Sequence, residues 1–239
     1  MKDDLGKRMK EQYEIRTRTF LPRRTYTIIR LDGKAFHTFT RGMDKPYDER
    51  FMNAMDYTAM HLSVEIQGAQ IAYAQSDEIS ILLTDFEKIT TDAWFDGQIQ
   101  KIVSVSASMA TGYFNSYINH DIGKTDQKMA FFDARVFTIP DPVEVENYFV
   151  WRQKDAVRNS LSMFAQSLFS HKQLHGKSQA DMHEMIHTRG ENWNNLPDGF
   201  KRGRSIFKNI EGKWTNYPLD FQAEGLDGRI IYDYIPKLN

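Results

Sequence analysis

The sequence predicts an α+β fold built on a split βαβ, ferredoxin-like sheet, with additional long helices and a C-terminal hairpin extension. Short β-branched and apolar runs alternate with stretches of helical periodicity, in the order strand, helix, two strands, helix, strand. The two middle runs are separated only by a tight turn, as expected for a hairpin. No repeat, low-complexity tract or linker interrupts the 239 residues. We therefore expect a single domain over 1–239, with its core at about 25–140 and an extension over about 141–239.

Each element is predicted from its own local pattern. The expected strands cover 26–31, 70–74, 79–83 and 130–139, and a final hairpin pairs 204–209 with 213–216. The expected helices cover 4–18, 47–66, 97–118, 145–171 and 178–187. The residues that carry the helical spacing of 47–66 and 97–118 are Phe51, Met55, Met60 and Val64, then Ile99, Ile102, Val103, Ala107, Ala110 and Phe114. The side chains expected in the core also include Phe131, Phe132, Phe137, Met163 and Met185.

Composition restricts the class of protein. With 41% hydrophobic and 13% aromatic residues, the chain can form a sizeable core without disulfides or a structural metal. The sequence contains no cysteine, which excludes a cysteine-ligated zinc site and is typical of a reducing compartment. No apolar run approaches about 18 residues, and the charged N-terminus lacks the apolar segment of a signal peptide. We expect a cytoplasmic protein that does not span a membrane.

Basic residues are concentrated in two segments, although the formal net charge is only −1. Between Lys7 and Arg30 the basic side chains are opposed only by Glu11 and Glu14. The second segment contains Lys201, Arg202, Arg204, Lys208 and Lys213. Such segments can follow a phosphate backbone, and they can equally form solvated faces. The charge pattern therefore permits a nucleic-acid partner without establishing one.

Acidic residues occupy the predicted ends of two neighbouring strands. Asp32 ends the first strand and precedes Gly33, whereas Asp77 and Glu78 lie in the hairpin turn. Because the first and third strands are neighbours in this topology, we expect Asp32 and Asp77 at the same edge of the sheet. Two converging carboxylates can hold Mg²⁺, which takes oxygen ligands and shares them with substrate phosphates. The alternative is ordinary turn chemistry, for which Asp-Gly and Ser-Asp are common sequences.

The loop after Asp32 favours a phosphate site. It contains Lys34, His37 and Lys45 close to Gly33. Backbone amides of a glycine-containing loop and the charge of a lysine can together contact a triphosphate.

Six short motifs stand in order over roughly residues 25–205. They are Arg30-Leu31-Asp32-Gly33-Lys34-Ala35-Phe36-His37, Lys45-Pro46 with Asp48, Ala72-Tyr73-Ala74-Gln75-Ser76-Asp77-Glu78, Phe132-Asp133-Ala134-Arg135-Val136, Trp151-Arg152-Gln153 with Asp155 and Asn159, and Asn192-Trp193-Asn194-Asn195. Together they resemble the tRNA-His guanylyltransferase superfamily, and the joint match is far more specific than any one motif.

The resemblance implies a polymerase-like palm that extends RNA in the 3′-to-5′ direction. ATP would adenylylate a 5′-monophosphate, and the 3′-hydroxyl of a nucleoside triphosphate such as GTP would then attack the activated end. Asp32 and Asp77, with the backbone oxygen of Gly33, would ligate two Mg²⁺ ions, and Glu78 is a further candidate catalytic residue. The residues implied to bind nucleotides are Asp32, Gly33, Lys34, Ala35, Phe36, His37, Ser76 and Asp77, with Lys45 and Asp48 in the activation site and Lys101 and Asn192 at a second triphosphate.

Two departures separate the sequence from the eukaryotic members of the superfamily. The span 157–163 replaces a His-Ile-Asn-Asn-Leu-Tyr-Asn stretch, and a Lys-Asn-Glu element before Asn192 is missing. Both departures resemble the bacterial-type branch, whose members copy a template while they repair truncated tRNA 5′ ends. The resemblance therefore favours template-dependent repair, with addition of a single G to tRNA-His as the alternative, and it suggests a homotetramer. The candidate tRNA contacts are Arg23, Arg24, Arg152, Asn159, Lys201 and Arg202.

Three other hypotheses stay open at this point. His183, Glu184 and His187 have the order of an H-E-x-x-H zinc-hydrolase motif but lack an evident third ligand. A nucleotide cyclase would use a related two-metal palm and would leave the motif from Trp151 to Asn159 without a role. A non-catalytic RNA-binding module is disfavoured by the presence of both carboxylates and Lys34.

Overall fold

An antiparallel sheet is the frame of the structure, a computed structural model that describes residues 4–119, 128–209, 211–217, 221, 232 and 234–237. Its strands are β1 (Tyr26–Gly33), β2 (Ala69–Gln75), β3 (Glu78–Leu83), β4 (Phe132–Ile139), β5 (Arg204–Lys208) and β6 (Trp214–Tyr217). They lie in the order β4-β1-β3-β2-β5-β6, and each neighbouring pair is antiparallel. The first four strands have the ferredoxin-like order, so the predicted α+β class is confirmed and β1 and β3 are central neighbours.

The residues that the structure describes form eight α-helices. They are α1 (Leu5–Met9), α2 (Phe36–Phe39), α3 (Glu49–Glu65), α4 (Ile99–Asn119), α5 (Pro142–Leu168), α6 (His171–Leu174), α7 (Gln179–Thr188) and α8 (Asp198–Arg202). Short 3₁₀ turns cover Ile15–Thr17, Trp94–Gly97 and Trp193–Asn195, and a π-helical turn covers Lys10–Glu14. None of the described helices combines the length and apolar character that a membrane span requires.

The alternation of side chains along the strands divides the core into two layers. Ile29 and Leu31 of β1 face α3 and α4, whereas Ile28 faces α5. β2 and β3 are buried on both faces, which explains why each reads as an almost continuous apolar run in the sequence. A third cluster joins the C-terminal half of α5 to α7 and Trp193.

The chain after α5 returns to the sheet. β5 pairs with β2, with Ala74 opposite Arg204, and β6 pairs with β5. The predicted final hairpin is therefore confirmed, and it places Arg204 beside the strand that leads into the Gln75–Glu78 turn.

Several local predictions were wrong. The helix predicted from 145 begins at Pro142, because Asp141 caps it by accepting from the backbone N–H of Val143 at 2.7 Å, and it ends at Leu168 rather than at 171. Of the side chains expected in the core, Phe131 is 52% exposed and Val64 is 62% exposed. Met163 is 40% exposed because it lies in the wall of a cavity. The N-terminal helix is α-helical only over Leu5–Met9 and continues as π and 3₁₀ turns.

Candidate active site

The two carboxylates predicted to converge lie at one edge of the sheet. Asp32, near the end of β1, is in register with Glu78 at the start of β3. Asp77 precedes Glu78 in the turn, and the backbone N–H of Gly33 donates to the carbonyl of Asp77 at 3.1 Å. Asp32 and Asp77 both line the same cavity. The sheet register therefore brings together side chains that are 45 residues apart in sequence (77 minus 32).

The Asp77 carboxyl group has a raised pKa. Burial, and to a smaller extent the negative charge of Asp32, raises the pKa of Asp77 to about 6, against hydrogen bonds from its own backbone and from Ser76. On the other side of Asp32, Arg135 Nη2 lies 3.6 Å from Asp32 Oδ2 and 3.5 Å from Asp133 Oδ1. Arg135 is half exposed, so this ion pair balances Asp32 only in part. The edge therefore concentrates negative charge that a cation would relieve.

The cavity beside the carboxylates has a volume of about 520 Å³ and is open to solvent on one side. Part of its wall is formed by Asp32, Gly33 and the Ser76–Asp77 turn. The apolar part of its wall consists of Phe36, Met43, Tyr47, Phe51, Met52, Met163 and Phe200. The polar part includes His37, Lys45, Asp48, Gln75, Asn159 and Arg204. A cavity whose wall combines charged groups with aromatic surface is suited to a nucleotide, which carries phosphates as well as a base.

The loop between β1 and α3 forms one side of this cavity. At Gly33 a Cβ atom would lie 2.3 Å from Phe36 Cδ2, so only glycine lets the Phe36 ring pack there. Ala35 has φ of 54°, in the left-handed region that favours glycine. The loop returns through a cis peptide bond between Lys45 and Pro46. Of the predicted loop residues, Ala35, Phe36, His37 and Lys45 line the cavity, whereas Lys34 is exposed outside its wall.

Asp48 has a structural role in addition to its place in the cavity wall. It is the N-cap of α3 and accepts from the backbone N–H of Phe51 at 2.9 Å and of Asp44 at 3.2 Å. Its carboxylate therefore holds the start of the helix whose first turn, with Phe51 and Met52, lines the cavity.

Glu78, predicted as catalytic, is not in the cavity wall. Its side chain is buried, and Arg152 donates to it twice, from Nε to Oε1 at 2.8 Å and from Nη2 to Oε2 at 3.0 Å. Gln75 Nε2 donates to Oε1 at 3.4 Å, and Arg30 Nε lies 3.7 Å from Oε2. Burial raises the pKa of Glu78, and the positive charges of Arg152 and Arg30 oppose that rise. The sequence did not show this pair, because Arg152 is distant along the chain.

The structure places the other predicted contacts apart from the cavity, with one exception. Lys101 lies on α4, with its Nζ 5.6 Å from the Phe95 ring centroid, and Asn192 caps the Trp193–Asn195 turn by accepting from the Asn194 N–H. Neither lines the cavity. Asn159, predicted as a tRNA contact, does line it.

The remaining candidate tRNA contacts differ in how accessible they are. Arg152 is held by Glu78, and Lys201 is buried, with its Nζ donating to the carbonyl of Asn194 at 2.8 Å. Both predictions are therefore corrected, because neither side chain is accessible to a phosphate. Arg23 is half exposed but donates to Asp85 at 2.6 Å. Arg24 is exposed, and Arg202 is partly exposed and bonded to Asp198.

One side of the cavity comes from the C-terminal extension and was not predicted from the sequence. Phe200 on α8 stacks at a tilt on Tyr47, with ring centroids 5.1 Å apart. Arg204 on β5 donates from Nε to Asp56 on α3 at 2.6 Å and from Nη1 to the carbonyl of Gly199 at 3.1 Å. Arg204 was signalled only as a member of the second basic segment, which does not indicate a cavity, and no sequence pattern indicated Phe200.

The zinc-hydrolase hypothesis receives no support from the described residues. The His183 and Trp193 rings pack edge to face, with centroids 5.7 Å apart. Glu184 and His187 are exposed to solvent. Within the described ranges no group of three or more His, Asp or Glu side chains is arranged to hold a metal ion. A metal at Asp32 and Asp77 would therefore need further ligands from backbone, substrate or water.

Comparison with known proteins identifies the class of this fold and site. The family model described as Thg1: tRNAHis guanylyltransferase matches residues 6–140, more than half of the chain. A bacterial tRNA(His) guanylyltransferase (Thg1)-like protein solved in complex with ATP is 43% identical, with a TM-score of 0.88, over 96% of this chain and 98% of that one. A second bacterial Thg1-like structure, in complex with GTP, is 38% identical, with a TM-score of 0.80, over 97% of this chain and 99% of that one.

A curated relative extends the match beyond bacteria. The tRNA(His) guanylyltransferase of Schizosaccharomyces pombe is 31% identical over 230 residues, which cover 90% of this chain and 85% of the relative. The chain belongs to the tRNAHis guanylyltransferase family, and it is accordingly a nucleotidyltransferase.

Proposed function

We propose that this protein adds nucleotides to the 5′ end of tRNA in the 3′-to-5′ direction, and that its substrates are tRNAs with truncated 5′ ends. The observation that carries the proposal is the convergence of Asp32 and Asp77 on one nucleotide-sized cavity. The complexes of bacterial family members with ATP and with GTP support a triphosphate as the occupant of such a cavity. ATP and other nucleoside triphosphates are therefore the proposed substrates beside the tRNA.

The carboxylate edge has the donor chemistry that Mg²⁺ requires. Asp32 and Asp77 offer hard oxygen atoms as ligands. The negative charge of Asp32 already disfavours ionisation of the Asp77 carboxyl group. We assign Mg²⁺ to these two side chains and the carbonyl of Gly33. When bound, Mg²⁺ would neutralise phosphate charge and lower the pKa of an attacking hydroxyl.

The other cavity residues would bind and orient the nucleotide. Lys45 and His37 lie in the wall and can contact phosphate oxygens, while Tyr47 and Phe200 offer aromatic surface to a base. In the activation step, a 5′-monophosphate oxygen attacks the α-phosphorus of ATP, and pyrophosphate leaves. In the addition step, the 3′-hydroxyl of a nucleoside triphosphate attacks the activated 5′-phosphate, and AMP leaves. The walls of the cavity hold the reacting groups in place, which is the main contribution of a protein to phosphoryl transfer.

The choice of tRNA separates the proposal from its alternative. Truncated-end repair is favoured by the two sequence departures at 157–163 and before Asn192. The bacterial Thg1-like structures match at 43% and 38% identity, whereas the curated eukaryotic relatives carry the name tRNA(His) guanylyltransferase. The test supplies wild-type protein with Mg²⁺, ATP and nucleoside triphosphates on two sets of substrates. One set consists of tRNAs of several identities that lack their first nucleotide, and the other is full-length tRNA-His.

We expect extension of every truncated tRNA by the nucleotide that its 3′ strand templates. Addition confined to tRNA-His, and always of G, would contradict repair and favour the alternative. The proposed tetramer is tested separately, by light scattering of the purified protein. A monomer would contradict it.

A further inference from the structure

The Glu78–Arg152 pair is the most completely buried ion pair near the carboxylate edge. Both side chains are at least nine-tenths shielded, with 10% of Glu78 and 7% of Arg152 exposed. Each Glu78 oxygen accepts from Arg152, so the guanidinium fork holds the carboxylate in one orientation. Gln75 and Arg30 contact the same two oxygens from the adjacent strands. Glu78 therefore has no oxygen directed at the cavity.

The pair joins the turn that carries Asp77 to helix α5. Glu78 follows Asp77 directly, and Arg152 lies one turn before Asp155 on α5, to whose Oδ2 it donates from Nη2 at 2.8 Å. One turn further, Ala156, Asn159 and Ser160 line the cavity. Hydrogen bonds from Arg152 thus join the turn to Asp155 on α5, the helix that supplies part of the wall of the same cavity.

The turn needs such an anchor because its backbone is strained. Ser76 has φ of 45°, in the left-handed region that costs a non-glycine residue free energy. Such a conformation persists only where the surroundings fix it. The hydrogen bond from Gly33 to the Asp77 carbonyl fixes one side of the turn, and the Glu78–Arg152 pair fixes the other.

We infer that Glu78 is a positioning residue rather than a metal ligand or an acid–base group. It acts through Arg152 to hold Asp77 at a set distance from Asp32 and from the α5 wall. This inference rests on the proposed assignment of Mg²⁺ to Asp32 and Asp77, but its test does not depend on tRNA chemistry. It predicts that loosening the fork disturbs metal binding even though neither Asp32 nor Asp77 is changed.

The test measures Mn²⁺ binding by calorimetry, as a probe of the carboxylate edge, and thermal unfolding in the same variants. Arg152→Lys keeps the positive charge but replaces the two-pronged contact by a point charge. We expect its Mn²⁺ affinity to fall about tenfold, and kcat for nucleotide addition to fall about tenfold, with KM for ATP changed less than about twofold. Arg158→Lys is the matched control, because Arg158 lies on the same helix, is mostly exposed and also pairs with Asp155. It should bind Mn²⁺ as the wild type does.

A double variant separates positioning from plain stabilisation. Glu78→Gln with Arg152→Met removes both charges of the fork together, so neither is left facing the other's empty place, although Arg30 and Asp155 each lose one ionic partner. We expect a smaller loss of thermal stability than in Glu78→Gln or Arg152→Met alone, with Mn²⁺ affinity still about tenfold weaker. Recovery of Mn²⁺ affinity together with stability would overturn the inference. It would also be overturned if Glu78→Gln weakened Mn²⁺ binding and Arg152→Lys did not, because Glu78 would then be a ligand itself. Failure of tRNA extension by the wild type would contradict the proposed function and leave these binding results interpretable.

Discussion

The backbone N–H of Gly33 donates to the carbonyl of Asp77 at 3.1 Å, and this bond joins the two segments that carry the carboxylates. The bond connects the end of β1 to the turn before β3. It lies one residue beyond Asp32 and Glu78, the last paired residues of those two strands. Because both segments are fixed by the sheet, the separation of Asp32 and Asp77 is set by backbone pairing rather than by flexible side chains. Positioned groups of this kind are what a two-substrate transfer reaction requires.

Gly33 should tolerate no side chain. In Gly33→Ala the new Cβ would lie 2.3 Å from the Phe36 ring, so the ring must leave its place in the cavity wall. We expect a loss of about 2 kcal/mol in the free energy of unfolding and weaker ATP binding. Urea denaturation and calorimetry measure the two effects. Gly112→Ala is the control, because its Cβ would meet nothing within 4 Å in α4 and should stabilise by about 0.5–1 kcal/mol. Equal stability of both variants would contradict this account of Gly33.

Asp48 should have two separable roles. Asp48→Ala removes the α3 cap and should cost about 1 kcal/mol of stability, whereas Asp48→Ser keeps an acceptor for the Phe51 N–H and should cost little. If Asp48 also contacts the nucleotide, as the family resemblance implies, ATP affinity falls in both variants. Chemical denaturation and ATP titration give the comparison. Normal ATP affinity in Asp48→Ser would restrict this residue to capping.

Asp77→Asn should stabilise the metal-free protein while it abolishes nucleotide addition. Burial and the charge of Asp32 disfavour the ionised Asp77 side chain, so a neutral amide relieves a cost on the order of 1 kcal/mol. Thermal unfolding in the presence of a chelator measures the gain. Asp133→Asn is the comparison, because Asp133 is mostly exposed and its stability should change by less than about 0.5 kcal/mol. A lower melting temperature for Asp77→Asn would argue that its charge is compensated within the protein.

Alkaline pH should weaken the packing of α5 on the sheet through Tyr148. Burial raises the pKa of Tyr148 to about 12, and its hydroxyl lies 2.8 Å from Ser80 Oγ. The unfolded chain releases the Tyr148 proton near pH 10, before the folded protein does. The contribution of the protonated Tyr148 hydroxyl to the free energy of unfolding is therefore complete below about pH 10 and is lost as pH rises toward 12.

The loss should approach about 1.4 kcal/mol per pH unit in that window. Unfolding free energies of the wild type and Tyr148→Phe, measured between pH 9 and 11.5 by urea titration, should converge as pH rises. A constant difference across the window would contradict the assignment to Tyr148.

The sequence predicted the core of the fold because its periodicities are local. The strands around Asp32 and Asp77 alternate or run apolar as their burial requires, and the ferredoxin-like order then placed both carboxylates at one edge. The true start of α5 was also readable, since Asp141-Pro142 has the pattern of an N-cap followed by proline.

What could not be predicted depends on contacts between distant segments. Nothing near Glu78 in sequence indicates Arg152, and nothing near Arg204 indicates Asp56 on α3. Met163 has helical spacing typical of the core, yet the arrangement of α5 leaves it in the cavity wall. The predicted roles of Lys101 and Asn192 at a second triphosphate stay predictions, because such a site requires the substrate to define it.

The most direct test of the central claim is the length of a 5′-monophosphorylated tRNA that lacks its first nucleotide, after incubation with the protein, Mg²⁺, ATP and nucleoside triphosphates. Wild-type protein should lengthen the RNA at its 5′ end, and omission of ATP should prevent this for a monophosphorylated end. Asp32→Ala and Asp77→Ala should each leave the RNA at its input length. Unchanged RNA with the wild type, or equal extension by Asp77→Ala, would contradict the account.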